Sequence, residues 1–162
     1  MSTLQVNAPF PSFSLPAVRE SEQITLANED LAGRPAILFF YPKDATCGCT
    51  VEVCSFRDLH EEFARSGVEV VGVSRDSIGS HRKFIDNQSL PFALLSDTDR
   101  KLAEACGLLR PKTMYGKPVV GSARTTFALD SEGVVRKVWN DVQPAGHAAE
   151  VLAWCRENFT SA

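Results

Sequence analysis

Six consecutive apolar residues, Ala36-Ile37-Leu38-Phe39-Phe40-Tyr41, are stopped by Pro42. A strand that is apolar at every position has no face for water, so it belongs inside a sheet covered on both sides. Residues 68–74 have the same character, and residues 92–95 read as a third short strand. Helical patterns alternate with these strands. Residues 49–66 place Val53, Phe56, His60, Phe63 and Ala64 on one face and are closed by Gly67. Residues 80–87, 100–106 and 146–158 follow, the last with Val151, Trp154 and Cys155 on one side. Strands over residues 124–129 and 134–142 are joined by Asp130-Ser131-Glu132-Gly133, a hairpin signal.

The ends and connections are less regular. Residues 8–15 alternate proline with phenylalanine and suit an extended edge or a covering arm. A short strand is expected near residues 23–26 and a turn at Ala32-Gly33-Arg34-Pro35. Residues 110–121, with Pro111, Gly116, Pro118 and Gly121, read as a loop that leaves room for a short extended piece. No repeat or linker divides the chain, so one domain over residues 1–162 is expected, an α/β sandwich around a mixed sheet.

Charge excludes several classes of function. With 17 Lys+Arg against 20 Asp+Glu the formal net charge is −3, which offers neither a nucleic-acid footprint nor a polybasic membrane patch. No apolar run approaches the roughly 20 residues of a bilayer helix. Residues 1–5 show no charged segment leading into an apolar one, so a cytoplasmic protein is expected.

Cysteine usage is the informative departure. Of the five, Cys47, Cys49 and Cys54 fall within eight residues, a cluster that in a reducing compartment signals redox chemistry or metal binding. The segment that holds them bridges the end of a buried strand and the start of a helix, where open α/β sheets bind ligands. A thiol in the first helical turn meets unpaired backbone N–H groups and the positive end of the helix dipole, which favour thiolate over thiol. Cys49 has that position; Cys54, five residues on, does not.

Pro42, Thr46 and Cys49 form Pro-x-x-x-Thr-x-x-Cys, and the string continues through Glu52-Val53-Cys54 to Phe56-Arg57-Asp58. Together with Met114-Tyr115-Gly116-Lys117 and Gly121-Ser122-Ala123-Arg124-Thr125-Thr126-Phe127, these residues resemble peroxiredoxins of the peroxiredoxin Q (bacterioferritin comigratory protein) subfamily. The resemblance implies a thioredoxin-like fold, with a mixed central sheet flanked by helices and an N-terminal extension. It implies an antioxidant thiol peroxidase acting on hydrogen peroxide and organic hydroperoxides without a bound cofactor. Cys49 would be the peroxidatic thiolate and Cys54 the resolving thiol. Thr46 would hold thiolate and peroxide through its hydroxyl, Arg124 would supply a fixed positive charge, and Pro42 would shield the pocket. Thioredoxin or glutaredoxin would be the reductant, and resolution within one chain implies a monomer. Arginine suits its part because it stays charged and presents several N–H groups.

Five helical residues separate two Cα atoms by roughly 8–9 Å, whereas disulfides need about 4.4–6.8 Å. The helix must therefore unwind locally for Cys54 to reach Cys49. Cys47 stands where the subfamily usually has proline. It could resolve the sulfenic acid, exchange with a Cys49–Cys54 bridge, or stay reduced, and the strain of a Cys-x-Cys ring favours Cys54 as partner. Glu52 either orients Arg124 or favours the helix start by charge.

Other readings are weaker. Copper or zinc on Cys47, Cys49 and Cys54 lacks a fourth ligand by spacing. A protein disulfide oxidoreductase would want Cys-x-x-Cys at the helix start. Cys106, four after Leu102, and Cys155, four after Val151, have core spacing, although Cys155 also lies where some peroxiredoxins keep a resolving thiol. His60, His81 and His147 show no accompanying Asp and Ser, so a Cys-His hydrolase is unsupported. Arg57 with Glu61 and Glu61 with Arg65 are expected as surface pairs.

Overall fold

The apolar run is the buried interior strand it was expected to be. In a computed structural model of the protein, which describes residues 3–20 and 22–159, β3 (Ala36–Phe40) is buried at every position. Its parallel neighbour is β4 (Glu69–Ser74), followed by β5 (Ala93–Ser96); its antiparallel neighbour is β8 (Thr125–Leu129), followed by β9 (Val135–Trp139). A hairpin of β1 (Ser14–Arg19) and β2 (Glu22–Ala27) extends the β5 side, giving a mixed sheet in the order β2-β1-β5-β4-β3-β8-β9.

The alternation of β3 side chains feeds two cores. Ile37, Phe39 and Tyr41 pack under α2 (Cys47–Arg65), α3 (Ile78–Gln88) and α5 (His147–Asn158). Leu38 and Phe40 meet Phe127, Leu95, Leu102 and the N-terminal Phe10 on the other face. The short helices α1 (Asn28–Leu31) and α4 (Lys101–Ala105) contribute Leu31 and Leu102 there. The Phe39 ring stacks on Phe56 of α2 at 4.4 Å and crosses Gly72, where an added Cβ would lie 2.9 Å from Phe39 Cζ and 2.7 Å from Leu94 Cδ2. Strand and helix can approach this closely only over a glycine.

The structure corrects several expectations. The arm formed by residues 3–13 does lie along the start of β9, through Asn7 N–H to Val135 O and a bridge of Pro9 with Val134. It leads, however, into a full strand, β1, that the sequence reading missed. Pro16 disguised it; β1 pairs with β5 only at Ala17 and Val18, so the missing N–H has no ladder partner to lose on that side. Residues 110–121 are not a loop but a hairpin of β6 (Leu109–Met114) and β7 (Lys117–Ser122). Its turn residues Tyr115 and Gly116 have φ of 54° and 75°, the left-handed pair a two-residue hairpin needs. Helix α2 begins two residues earlier than expected, and Ala64 on it is exposed. Arg65 pairs with Glu61 as expected, but Arg57 turns to Asp58 and to the Gln88 carbonyl that ends α3. A cation at a helix C-terminus satisfies an orphan acceptor, which outweighs an exposed surface pair.

Candidate active site

Thr46 occupies the N-cap of α2, so Cys47, Gly48 and Cys49 make its first turn. The Cys49 side chain turns inward and is 1% exposed, while Cys47 is exposed. Arg124 reaches this turn from the residue before β8, whose pairing with β3 (Phe40 opposite Thr125) sets it beside the end of the central strand. Its Nη2 donates to Cys49 Sγ at 3.3 Å and its Nη1 to Glu52 Oε1 at 2.6 Å. The β9–α5 loop closes over this corner: Val142 N–H donates to Arg124 O, and Gly48 lies against the Arg124 Nη2 and Pro144 Cγ.

Glu52 sits one helical turn below Cys49 on the same inward face and is fully buried, with Oε2 lacking any partner. Burial pushes its pKa up to about 7, against the opposing hydrogen bond and charge of Arg124. Burial works against the charge on Arg124, but the Glu52 hydrogen bond and the nearby charges on Cys49 and Glu52 prevail, and its pKa is raised. The guanidinium is therefore a permanent cation locked between a carboxyl and a sulfur.

The remaining sequence candidates make no side-chain hydrogen bond to this pair. Thr46 is exposed; its Oγ1 donates to Lys43 O at 3.0 Å and gives no side-chain cap. Pro42 is half-buried between buried Tyr41 and exposed Lys43. Cys54 Sγ donates to Gln88 Oε1 at 3.3 Å and lies in the same unbroken helix as Cys49. Cys106 and Cys155 are fully buried in the two cores, and burial raises both pKa values to about 12, with the Asp97 charge adding to the effect at Cys106. Among the described residues no three His, Cys, Asp or Glu side chains converge as a metal centre requires, and nothing in the arrangement favours copper or zinc.

The sequence reading missed a polar cluster beneath the loop of residues 42–46. Buried Asp44 accepts from Tyr41 Oη at 2.6 Å and from Ser80 Oγ at 2.9 Å, and lies 2.7 Å from His81 Nδ1. His81 Nε2 donates to Leu95 O at 3.0 Å, and Asp44 N–H donates to Asp76 Oδ2. Burial, then the charge of Asp44, drives the Tyr41 pKa upward, keeping the phenol a donor. An Asp and a Ser thus do accompany His81, contrary to expectation. Ser80 donates to the Asp and not to the ring, so no hydrolase triad results. No local pattern links residues 37 apart in the chain, and nothing in the sequence around Asp44 showed that it would be buried.

A buried thiol beside a fixed guanidinium, on a mixed sheet sandwiched by helices, fits a thiol-dependent peroxidase of thioredoxin-like fold, and the comparisons with known proteins show that class. A model of the AhpC/TSA family matches residues 6–138. A putative peroxiredoxin bcp of Coxiella burnetii is 44% identical over 150 residues, covering 93% of this chain and 97% of that protein. Peroxiredoxin Bcp of Bacillus subtilis is 45% identical over 128 residues, 79% of this chain and 82% of the relative. Among solved structures, peroxiredoxin Q of Xanthomonas campestris superposes with a TM-score of 0.87 at 39% identity, covering 97% of this chain and 98% of the other. Another, of the Xanthomonas campestris bacterioferritin comigratory protein and concerned with its alkyl peroxide reduction activity, gives 0.87 at 38% identity over 98% and 100%. The chain belongs to the AhpC/TSA family, in its peroxiredoxin Q (bacterioferritin comigratory protein) branch.

Proposed function

We propose that Cys49 is the peroxidatic thiolate and Cys54 its resolving partner. The observation that carries the reading is the Arg124 guanidinium, held by Glu52 and donating to Cys49 Sγ. It supports a thiolate before attack and offers N–H donors to the negative charge that grows on the departing oxygen. Thr46 has its own proton committed to Lys43 O, so its oxygen can accept the peroxide O–H and orient the oxygen pair. Pro42 walls the pocket from water. Cys49 attacks the near oxygen, the O–O bond breaks, and the product leaves as water or alcohol once protonated. The resulting sulfenic acid condenses with the Cys54 thiol, releasing water and closing a disulfide.

A dithiol protein of thioredoxin or glutaredoxin type then reduces that disulfide by exchange. The substrates are hydrogen peroxide and organic hydroperoxides, the latter supported by the alkyl peroxide reduction of the Xanthomonas relative. Because both cysteines lie on α2 of one chain, resolution needs no second subunit, which supports an atypical 2-Cys enzyme working as a monomer; the reading makes it a single domain of the cytoplasm. No helix among the described residues is long and apolar enough to cross a membrane.

Turnover with hydrogen peroxide and thioredoxin tests this. Cys49→Ser should be inactive, and Cys47→Ser/Cys54→Ser, which lacks both neighbouring thiols, should consume one equivalent of peroxide and then stall. Sustained turnover by Cys49→Ser would overturn the assignment of the nucleophile.

A further inference from the structure

The donor must attack a sulfur, and in the reduced, fully helical form Cys47 is the exposed one of the three candidates. Cys49 is 1% exposed and Cys54 is half-buried against Gln88, whereas Cys47 is exposed. The turn that carries Cys47 and Cys49 is also lightly held. Thr46 gives it no side-chain cap, no acidic residue stands in it, and Ala45 before it sits at φ 61°, a conformation costly for a residue with a Cβ. Side chains two apart on a helix point about 200° apart, as the outward Cys47 and inward Cys49 do. Once the turn opens to let Cys54 meet Cys49, that separation disappears. The two sulfurs then flank Gly48 alone, which has no Cβ to obstruct ring closure.

We propose that Cys47 is a relay thiol that carries the disulfide from the buried pair to the surface; this rests on the resolving role given above to Cys54. The Cys47 thiolate attacks Cys49 Sγ of the Cys49–Cys54 bridge. The bond to Cys54 breaks, its electron pair stays on Cys54 Sγ, and that sulfur takes up a proton. The new Cys47–Cys49 bridge presents an exposed sulfur to a dithiol protein. The donor attacks Cys47 Sγ and frees Cys49 as thiolate, and its second thiol then displaces Cys47. The donor dithiol ends oxidised and both cysteines end reduced. A ring closed over one residue is strained, and strained, exposed disulfides are the more oxidising and more readily reduced. Cys47–Cys49 is thus the minor bridge at equilibrium and the faster one to be reduced.

The test oxidises wild type and Cys47→Ser with one equivalent of hydrogen peroxide. It compares the rate of the peroxide burst with the rate of disulfide reduction by thioredoxin, and maps the bridges by mass spectrometry. The ratio of reduction rate to burst rate should fall about tenfold in Cys47→Ser, and oxidised wild type should contain a minor Cys47–Cys49 peptide. An unchanged ratio, or wild type with Cys49–Cys54 and no trace of Cys47–Cys49, overturns the relay while leaving the role of Cys54 intact. Absence of any bridge to Cys54 in both proteins overturns the resolving assignment as well, and the peptide map tells the two failures apart.

Discussion

The Arg124 guanidinium lies 3.3 Å from the sulfur of Cys49, a residue 75 positions earlier in the chain. Two separate parts of the fold create this contact: the first turn of α2 turns Cys49 inward, and the β3–β8 register delivers Arg124 to the same corner. Arg124→Gln should retain the fold and slow the peroxide burst by roughly 10²–10³-fold, the usual cost of removing one donor aimed at a developing negative charge. Stopped-flow kinetics with hydrogen peroxide would measure it. A burst rate equal to wild type would remove Arg124 from the chemistry.

Glu52 makes stability depend on pH in a stated direction. Its carboxyl holds a proton up to about 7 in the folded protein, against an ordinary 4.5. Between those values the unfolded chain has lost a proton that the folded chain keeps, so this group's stabilising contribution is lost as pH rises, by at most ~1.4 kcal/mol per pH unit. Glu52→Gln lacks that slope. Urea unfolding of both proteins across this range should show their stabilities diverging with pH, and parallel curves would contradict it.

The cluster under the active-site loop has a structural consequence. His81→Leu leaves buried Asp44 without its ring partner and the Leu95 carbonyl without a donor. The variant should lose about 3 kcal/mol or more of unfolding free energy. A loss below about 1 kcal/mol in urea titration would show that the cluster does not hold the loop.

Resolution by Cys54 demands local unwinding, because α2 runs unbroken from Cys47 to Arg65 and both thiols lie on it. Hydrogen exchange should show residues 49–56 losing protection in the disulfide form while residues 57–65 keep theirs. Equal protection before and after bridging would refute this.

Local pattern sufficed wherever one residue type does one thing. The run of residues 36–41 announced a doubly covered strand, Gly67 and Gly107 ended helices, and Asp130 to Gly133 made the expected turn. It failed where a breaker sits at a position that tolerates it. Pro16, Pro111 and Pro118 all lie at strand positions where one edge of the backbone is unpaired, so prolines that spoke against strands cost little there. At the site, its place at the helix start singled out Cys49 and the family resemblance named Thr46 and Arg124, but neither foretold that Glu52 would be buried with one oxygen unpartnered, nor that Asp44 would meet His81. Those facts depend on pairs distant in sequence, which only the folded sheet brings together.

The most direct measurement uses Cys47→Ser/Cys54→Ser, in which no neighbouring thiol can capture the oxidised nucleophile. One equivalent of hydrogen peroxide is added with a reagent specific for sulfenic acid, and the modified peptide is mapped by mass spectrometry. The account predicts adduct on Cys49 in nearly every molecule, with Cys106 and Cys155 untouched. Unmodified Cys49 in the presence of remaining peroxide, or adduct confined to another cysteine, would contradict it.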